Sequence, residues 1–311
     1  MFNAPDVDDS AVVARAVEVL RAGGVVAIPT ETVYGLAADV GNAAAIARIY
    51  AVKGRPANHP LIVHVHDVEA LEGYVDATGP ALRVLATRFW PGPLTAIVTR
   101  GTRTPRSVTG DQDTVGVRVP RHPLALAILA AFGGALAAPS ANRFGRVSPT
   151  SAAHVRADLG DEVDFIVDGG PAEIGIESTI VDLTGAVPAV LRAGAITPSQ
   201  LSDALGTPVV ARSSGEVRTP GQHAVHYAPR ARLVLAAAAA IDDVARAHAA
   251  AGARVAVLAL PGDPAAAART LYATLRALDD QRYDTIVAAL PPDNEANAAL
   301  RDRLTRASHR E

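Results

Sequence analysis

The sequence predicts an α/β protein with two units, a larger one built on a mixed sheet and a smaller one built on a parallel sheet. Patterns typical of helices and of buried strands alternate along most of the chain, as they do where helices cover a sheet. In the first part several strands follow one another with no helix between them, so we expect that sheet to be mixed. Near the C-terminus three short strands alternate regularly with helices, as in a parallel β/α unit.

The larger unit is expected to span residues 1–205. Its first helix lies in "DDSAVVARAVEVLRAGG", where Asp9 or Ser10 is a plausible cap and two glycines end the helix. A second helix, "NAAAIARIYAVKG", is closed by Gly54. Further helices are predicted in "ALRVLATRFW", "HPLALAILAAFGG" and "SAAHVRADLG". Strands are predicted in "VVAIP", "PLIVHVHD", "PLTAIVTR", "TVGVRVP", "ALAAPS", "DFIVDGG" and "STIVDLT".

The character of the chain changes after residue 205. Residues 206–230 are small, polar and irregular, and they are too long for an ordinary connection, which favours a linker or a lid. Residues 231–311 carry the strands "RLVLA", "RVAVLAL" and "DTIVAAL", two intervening helices and a closing helix "NEANAALRDRLTRAS". The loop "LPGDPAAA" lacks the glycine spacing of a dinucleotide site.

Composition excludes several classes of protein. The 311 residues carry a formal net charge of −3, which argues against a dedicated nucleic-acid binder but allows a local basic pocket. The chain has no cysteine, so disulfides, thiolate metal sites and cysteine nucleophiles are ruled out. The acidic start "MFNAPDVDDS" does not resemble a signal peptide, and no apolar run is long enough to span a bilayer. A soluble cytoplasmic protein is the default expectation.

Four polar stretches fall at the ends of predicted strands or in loops, where open α/β sheets place ligands. They are "PTETVYGL" (29–36), "KGRPANHPLIVHVH" (53–66), "GVRVP" with "PSANRFGRVSPT" (116–120 and 139–150), and "IESTIVD" (176–182). Each also has a simpler interpretation. The first can be a capped turn into a helix, the second a solvated basic turn, and Ser140 and Asn142 in the third can cap the next turn. Ser178 and Thr179 in the fourth are a weak signal alone.

The cations in these stretches suit an anionic ligand. Lys53 and Arg55 are two residues apart, which on an extended segment places both on one side. Arginine offers a planar fork for phosphate oxygens and lysine a compact charge. Arg118 ends an apolar strand, and a buried arginine needs an anionic partner.

Other chemistries find less support. His59, His64 and His66 have no carboxylate at a spacing useful for a metal, so a polar histidine in a pocket is the better interpretation. The chain contains neither a G-x-S-x-G nucleophile elbow nor a phosphate loop of the G-x-x-x-x-G-K-[ST] type. A bound nucleotide would therefore be held by scattered side chains.

Taken together, the ordered motifs resemble the YrdC-like L-threonylcarbamoyladenylate synthases in their longer, two-domain form. The resemblance is dense from about residue 10 to 230, and Lys53, Arg55, Ser140 and Asn142 match the family's K-x-R and S-x-N signature. The motifs are "PTETVYGLAADV", "KGRP", "PLIVHV", "WPGPLTAIV", "VGVRVP", "PSAN", "IESTIVD", "LRAG" and "HYAP".

The resemblance implies a twisted open sheet around a positive cavity, followed by a Rossmann-like module, with the linker reaching back over the cavity. It implies condensation of L-threonine, bicarbonate or CO2, and ATP with Mg²⁺ into threonylcarbamoyl-AMP and pyrophosphate. A tRNA threonylcarbamoyl transferase complex would then use the product on the adenosine beside the anticodon. Direct contact with tRNA is left open. Positioning, charge neutralisation and exclusion of water would suffice for the displacement.

The resemblance also implies two sets of site residues. Lys53, Arg55, Ser140 and Asn142 would be the catalytic group. Threonine would be held by Thr32, His64, Arg118, Ala138 and Ser178, with Arg118 on its carboxylate. ATP would be surrounded by Lys53, Arg55, His59, Thr114, Ser140, Asn142, Ser148, Arg192 and Tyr227. His59 departs from the family pattern, which has asparagine there, although imidazole can still donate one hydrogen bond.

Two other functions have less support in the sequence. The first is an RNA-binding module with a basic concave surface, against which stand the acidic balance and the lack of interleaved aromatic residues. The second is carbamoyl transfer to another acceptor, as in hydrogenase maturation proteins that contain a YrdC-like domain. Those proteins carry zinc-finger cysteines, and this chain has none.

Overall fold

The computed structural model describes residues 7–212, 217–220 and 226–309. Its helices are α1 (Val7–Arg21), α2 (Ala43–Lys53), α3 (Pro80–Phe89), α4 (Arg106–Thr109), α5 (Pro123–Phe132), α6 (Ala152–Leu159), α7 (Pro198–Leu205), α8 (Ile241–Ala250), α9 (Pro264–Asp280) and α10 (Ala298–Ser308). Its strands are β1 (Val26–Ile28), β2 (Gly35–Asp39), β3 (Ile62–His64), β4 (Leu94–Thr99), β5 (Thr114–Arg118), β6 (Leu136–Ala137), β7 (Phe165–Ile166), β8 (Thr179–Asp182), β9 (Ala189–Arg192), β10 (Val210–Ala211), β11 (Arg232–Ala236), β12 (Val255–Leu258) and β13 (Thr285–Ala289).

The first unit is built on a large mixed sheet, as predicted. In the described part of the chain the strand order is β10-β9-β8-β4-β5-β3-β6-β2-β1-β7. Strand β4 is antiparallel to β5 and parallel to β8, while β3 runs parallel to β5. The pairing of β3 with β5 sets His64 beside Arg118 at the ends of the two strands.

Helices cover both faces of this sheet because apolar residues alternate along its strands. On β1, Ala27 packs in the same apolar cluster as Ile46 and Ile49 of α2. Its neighbour Ile28 packs in the opposite cluster, with Leu129 of α5. The three-layer arrangement leaves the strand ends and their loops free to form a site.

Of the two helix ends predicted from capping residues, the end of α2 is confirmed and the start of α1 is not. Gly54 closes α2 in the left-handed conformation with φ 62°, as predicted, and glycine adopts this conformation without a Cβ penalty. The predicted cap at Asp9 or Ser10 is wrong, because α1 begins at Val7. Both residues therefore lie in the first turn of the helix, where an acidic side chain is favourable to the helix dipole.

Four elements of the first unit escaped the sequence patterns, one of which is the short helix α4. "PTETVYGL" leads into strand β2 and not into a helix, so the interpretation as a helix-capping turn is wrong. Strand β9 and helix α7 were also missed. Helix α7 has a clear signal in hindsight, since Thr197 and Gln200 form a reciprocal capping box ahead of it.

The C-terminal unit contains the predicted parallel sheet, in the order β11-β13-β12. It does not stand apart from the first unit. Val147 and Ile176 of the first unit share one buried apolar cluster with Leu271 of α9 and Leu300 of α10. The boundaries 1–205, 206–230 and 231–311 stay predictions. Within the described residues, no helix combines the length and the apolar character needed to cross a membrane.

Candidate active site

A cavity lies where the loops after β1 and β6 meet the loop before β3, the ends of β3, β5 and β9, and the residues just before β8. Its wall contains residues from all four polar stretches, together with part of the 206–230 segment. The predicted site residues that line it are Thr32, Arg55, His64, Arg118, Ala138, Ser140, Ser178, Arg192 and Tyr227.

Arg118 is held at the end of β5 by a buried ion pair. Its Nη2 lies 2.7 Å from Oε1 of Glu31, and its Nε donates to the carbonyl of Gly92. The second oxygen of Glu31 accepts the backbone N–H of Arg121. Among the described residues Nη1 of Arg118 has no hydrogen-bond partner. The guanidinium is therefore fixed on one side and open on the other.

His64 is neutral beside this arginine. It is 3% exposed, and its Nδ1 lies 3.1 Å from the carbonyl oxygen of Ile62. Burial and the neighbouring Arg118 lower the pKa of His64 to about 3. The side chain therefore offers hydrogen bonds to a ligand without adding a charge.

Lys53 and Arg55 are buried, so the solvated basic turn is wrong. They are 2% and 7% exposed. They do not lie on an extended segment either, because Lys53 is the last residue of α2 and Gly54 turns the chain before Arg55. The chain reversal, and not strand alternation, brings both cations to the same region.

The partners of these two cations are carbonyl groups. Nζ of Lys53 donates to the carbonyls of Ser140 and Asn142, at 2.5 and 2.6 Å. Arg55 Nη2 donates to the carbonyl of Pro60. Burial, and secondarily the mutual repulsion of the two cations, lowers the pKa of Lys53 well below its ordinary value. Burial lowers the pKa of Arg55 to about 10. Both cations lack a carboxylate partner within the described part of the chain.

Ser178 and Arg192 form a hydroxyl and guanidinium cluster at the opposite wall. Arg192 donates from Nε to the Ser178 carbonyl and from Nη2 to the Ser178 hydroxyl, both at 3.0 Å. The Ser178 hydroxyl also lies 2.8 Å from that of Thr95 on β4. Thr95 was missed by sequence reasoning, because nothing in "PLTAIVTR" distinguishes it from a buried strand residue.

Five predicted ATP residues are absent from the cavity wall, and two of them, Lys53 and Asn142, are also predicted catalytic residues. Lys53 is bonded to the backbone carbonyls of Ser140 and Asn142. Ser148 donates its hydroxyl to Glu177 at 2.6 Å. His59 packs edge-on against Phe144. Thr114 pairs with Thr99 at the start of β5, four residues from Arg118, and is not in the cavity wall.

The 206–230 segment contributes to the cavity wall where it is described. Pro220, His226 and Tyr227 line the wall. Tyr227 has a φ of 62°, unusual for a residue other than glycine, and its ring stacks on Tyr272 of α9 with a centroid separation of 5.8 Å. In the described structure the Tyr227 hydroxyl, His226 Nδ1 and Asn142 Oδ1 are buried without a hydrogen-bond partner. Native proteins rarely leave such groups unpaired, so these atoms can form hydrogen bonds with a bound molecule or with water.

Comparison with known proteins decides the family. A family model described as "Telomere recombination" matches residues 18–194, and one described as "Threonylcarbamoyl-AMP synthase, C-terminal domain" matches residues 196–309. The threonylcarbamoyl-AMP synthase of Bacillus subtilis is 39% identical over 95% of this chain and 92% of its own length. The chain belongs to the threonylcarbamoyl-AMP synthase family. The resemblance drawn from the motifs is thereby confirmed, including the two-domain form.

Further comparisons agree with this assignment. The Pyrococcus abyssi synthase is 36% identical over 93% of this chain and 92% of its own length. The structure of Pyrococcus abyssi Sua5 complexed with L-threonine superposes with a TM-score of 0.92 at 34% identity, covering 98% of this chain and 96% of that one. Escherichia coli YciO matches with a TM-score of 0.53 at 28% identity, over 62% of this chain and 92% of its own. The enzymes of this synthase family carry out an adenylyl transfer. The comparisons therefore favour an enzyme over the alternative of an RNA-binding module.

Proposed function

We propose that this protein makes threonylcarbamoyl-AMP and pyrophosphate from L-threonine, bicarbonate or CO2, and ATP, as the first step of N6-threonylcarbamoyladenosine formation in tRNA. The observation that carries the proposal is the set of guanidinium groups from Arg55, Arg118 and Arg192, which are 4–7% exposed and line one cavity. A buried cation is costly unless an anion compensates it, and among the described residues only Arg118 of the three has a carboxylate, that of Glu31, within ion-pair distance. The two substrates supply one carboxylate and a triphosphate, which are suitable anions.

The threonine subsite is formed around Arg118. The open side of its guanidinium binds the amino-acid carboxylate, while Glu31 holds the other side. Neutral His64 and the backbone at Ala138 line the same region. Thr32 and Ser178 present hydroxyls, each fully buried, that suit the polar groups of threonine. The structure of the Pyrococcus abyssi protein complexed with L-threonine supports this substrate.

The ATP subsite lies toward Arg55, Arg192 and the 206–230 segment. Arg55 and Arg192 face the phosphates, and Ser140 lines the wall between the two subsites. Lys53 holds the Ser140–Asn142 loop and adds a positive charge close behind it. The unpartnered Tyr227 hydroxyl and Asn142 Oδ1 are available to the nucleotide. Contacts of ATP with His59, Thr114 and Ser148 stay predictions.

The cavity promotes adenylyl transfer by positioning the substrates and by neutralising their charge. The amine of threonine adds to CO2 and loses a proton to give a carbamate. An oxygen of this carbamate attacks the α-phosphorus of ATP, the bond from that phosphorus to the oxygen bridging to the β-phosphate breaks, and pyrophosphate leaves. Buried guanidinium groups neutralise the charge on the phosphates. Residues 226–227 cover the reactants, which protects the labile carbamate and mixed anhydride from water. Mg²⁺ enters with ATP as part of the substrate, and the product passes to a tRNA threonylcarbamoyl transferase complex.

Product analysis by mass spectrometry tests the proposal. Purified full-length protein is incubated with L-threonine, bicarbonate, ATP and Mg²⁺, and the products are compared with reactions that lack one substrate. We expect threonylcarbamoyl-AMP, with pyrophosphate release that depends on both threonine and bicarbonate. Formation of ADP and phosphate would overturn the proposal, because it implies attack at the γ-phosphorus.

A further inference from the structure

Glu177 is an acidic residue in the wall of an otherwise cationic cavity. It precedes Ser178 in the "IESTIVD" stretch, lines the cavity and is 6% exposed. A carboxylate beside a triphosphate site would repel the ligand at close range. The partners of Glu177 therefore decide whether the cavity accepts a nucleotide.

Most of these partners come from the C-terminal unit. Oε2 of Glu177 accepts Nε of Arg303 at 2.7 Å and the hydroxyl of Tyr272 at 3.0 Å. From the first unit, Ser148 donates its hydroxyl to Oε1. Burial by itself would raise the pKa of Glu177, but Arg303 and then Arg192 outweigh that effect and lower the pKa to about 2. The carboxylate is ionised, and its charge is compensated from α10.

Arg303 is built into this position. Its side chain is 0% exposed and is bonded on three sides, to Glu177, to Asp302 and to the carbonyl of Ala193. The guanidinium also lies over the ring of Tyr227, 4.9 Å from its centroid. One side chain of the C-terminal unit thus contacts both the acidic wall residue and the aromatic residue that covers the cavity.

We propose that Arg303 is a positioning residue for ATP, which compensates the charge of Glu177 and holds its carboxylate toward the C-terminal unit and away from the phosphates. The inference rests on the proposed function in one respect, the assignment of this cavity to ATP. It gives the C-terminal unit a part in the site although none of its residues lines the cavity within the described chain. Loss of Arg303 would remove the ion-pair partner of a buried carboxylate beside the nucleotide and leave a weaker compensation from Arg192.

Charge rescue tests this role. Arg303→Met should raise the KM for ATP about 10- to 100-fold, the size expected of a like charge at close range, and change the KM for threonine much less. Adding Glu177→Gln should return the KM for ATP to within about threefold of the wild type, because the amide keeps hydrogen-bonding capacity without the charge. Arg303→Lys, which retains the charge, should lie close to the wild type.

The matched control is Glu295→Ala, which removes another contact between the two units. Glu295 accepts from Ser199 and is remote from the cavity wall, so this variant should leave the KM for ATP unchanged. Thermal unfolding of each variant reports on folding separately. If Arg303→Met does not fold, the test rests on Arg303→Lys and Glu177→Gln. We then expect the KM of Glu177→Gln for ATP to be equal to or below that of the wild type.

Two results would overturn the inference. One is a double variant as defective toward ATP as Arg303→Met, which would make Arg303 a purely structural contact. The other is an Arg303→Lys variant, or a Glu177→Gln variant, with a KM for ATP raised tenfold or more. A wild-type protein that forms no adenylate would instead contradict the proposed function, so the two failures are distinguishable.

Discussion

The guanidinium of Arg118 and the carboxylate of Glu31 form an ion pair whose side chains are only 5% and 2% exposed, with Nη2 and Oε1 2.7 Å apart. Glu31 comes from the loop after β1 and Arg118 from the end of β5, so the pair ties two sheet positions far apart in the sequence. A pair this deeply buried is held rigidly, because breaking it leaves an unpaired charge. The carboxylate of a bound amino acid would therefore meet a guanidinium of fixed orientation.

Replacement of Arg118 should separate the two subsites. We expect Arg118→Ala to weaken the binding of threonine far more than the binding of ATP. The expected loss for threonine is about 2–5 kcal/mol, as for a buried charge pair broken on one side. Steady-state KM values for the two substrates provide the measurement. Arg121→Ala is the matched control, since within the described residues that exposed side chain pairs with the exposed Glu173 alone. An effect of Arg118→Ala on ATP alone would show that the subsites are assigned the wrong way round.

Replacement of Glu31 tests whether the orientation of Arg118 matters. Glu31→Gln keeps the shape of the side chain but loses the charge that holds the guanidinium. We expect a higher KM for threonine with ATP little changed, and a loss of about 1–3 kcal/mol in the free energy of unfolding. Glu173→Gln, at the exposed pair, serves as the control. Unchanged threonine kinetics would mean that Arg118 keeps its orientation without Glu31.

Tyr227→Phe should affect binding and stability in opposite senses. The hydroxyl is buried and has no hydrogen-bond partner in the described structure, so its removal should leave the ligand-free protein equally or more stable. If ATP uses the hydroxyl, affinity for ATP should fall by about 0.5–1.5 kcal/mol, the worth of a neutral hydrogen bond. Thermal unfolding and ATP titration measure the two effects. The control is Tyr272→Phe, which loses a hydrogen bond to Glu177 and should therefore lower stability. If the affinity of Tyr227→Phe for ATP is unaltered, the Tyr227 hydroxyl does not contact ATP.

His64 should make the protein sensitive to acid. The folded protein holds its pKa at about 3, whereas the unfolded chain has the ordinary value near 6.5. The unfolded chain therefore takes up the proton first as the pH falls, so the contribution to stability is full above about pH 6.5 and is lost toward pH 3. At pH 4.5 the loss is about 2–3 kcal/mol.

Urea unfolding between pH 7.5 and 4.5 measures this effect, and His64→Gln should abolish that part of it. His248→Gln on α8, remote from the cavity, is the matched control. An acid destabilisation that is the same in His64→Gln and in the wild type would contradict the assignment.

The 206–230 segment should respond to substrates. Because Pro220, His226 and Tyr227 line the cavity, ATP with threonine should slow proteolysis of this segment, including cleavage near Ser214, which lies outside the described residues. Limited proteolysis with mass mapping gives the rate at each bond. A cleavage rate unaffected by substrates would show that the segment is a passive spacer.

The sequence predicted what depends on local pattern. Gly54 after a helical run, the alternating strands of the C-terminal unit and the cations Lys53 and Arg55 all carry their signal within a few residues. The fold class, the mixed sheet and the convergence of the four polar stretches followed from these signals and from the ordered motifs. These parts of the fold agree with the structure.

What escaped prediction depends on pairing between distant segments. Glu31 lies in the polar stretch 29–36 with nothing in the sequence to distinguish it, and its partner lies 87 positions away. Arg303 reads as one of several basic residues on an amphipathic helix, yet it is buried against Glu177, 126 positions away. No local pattern encodes such a pair, because either residue alone looks like an ordinary surface charge.

The two units share one apolar cluster, so we expect them to unfold together. The cluster contains Val147 and Ile176 of the first unit and Leu271 and Leu300 of the C-terminal unit. Side chains from both units fill a single hydrophobic interior, so neither unit can melt without exposing part of the other to water. Calorimetry should then show one heat-absorption peak for the whole chain. A separately produced fragment of residues 231–311 would expose the apolar surface that the first unit normally covers, and it should therefore self-associate.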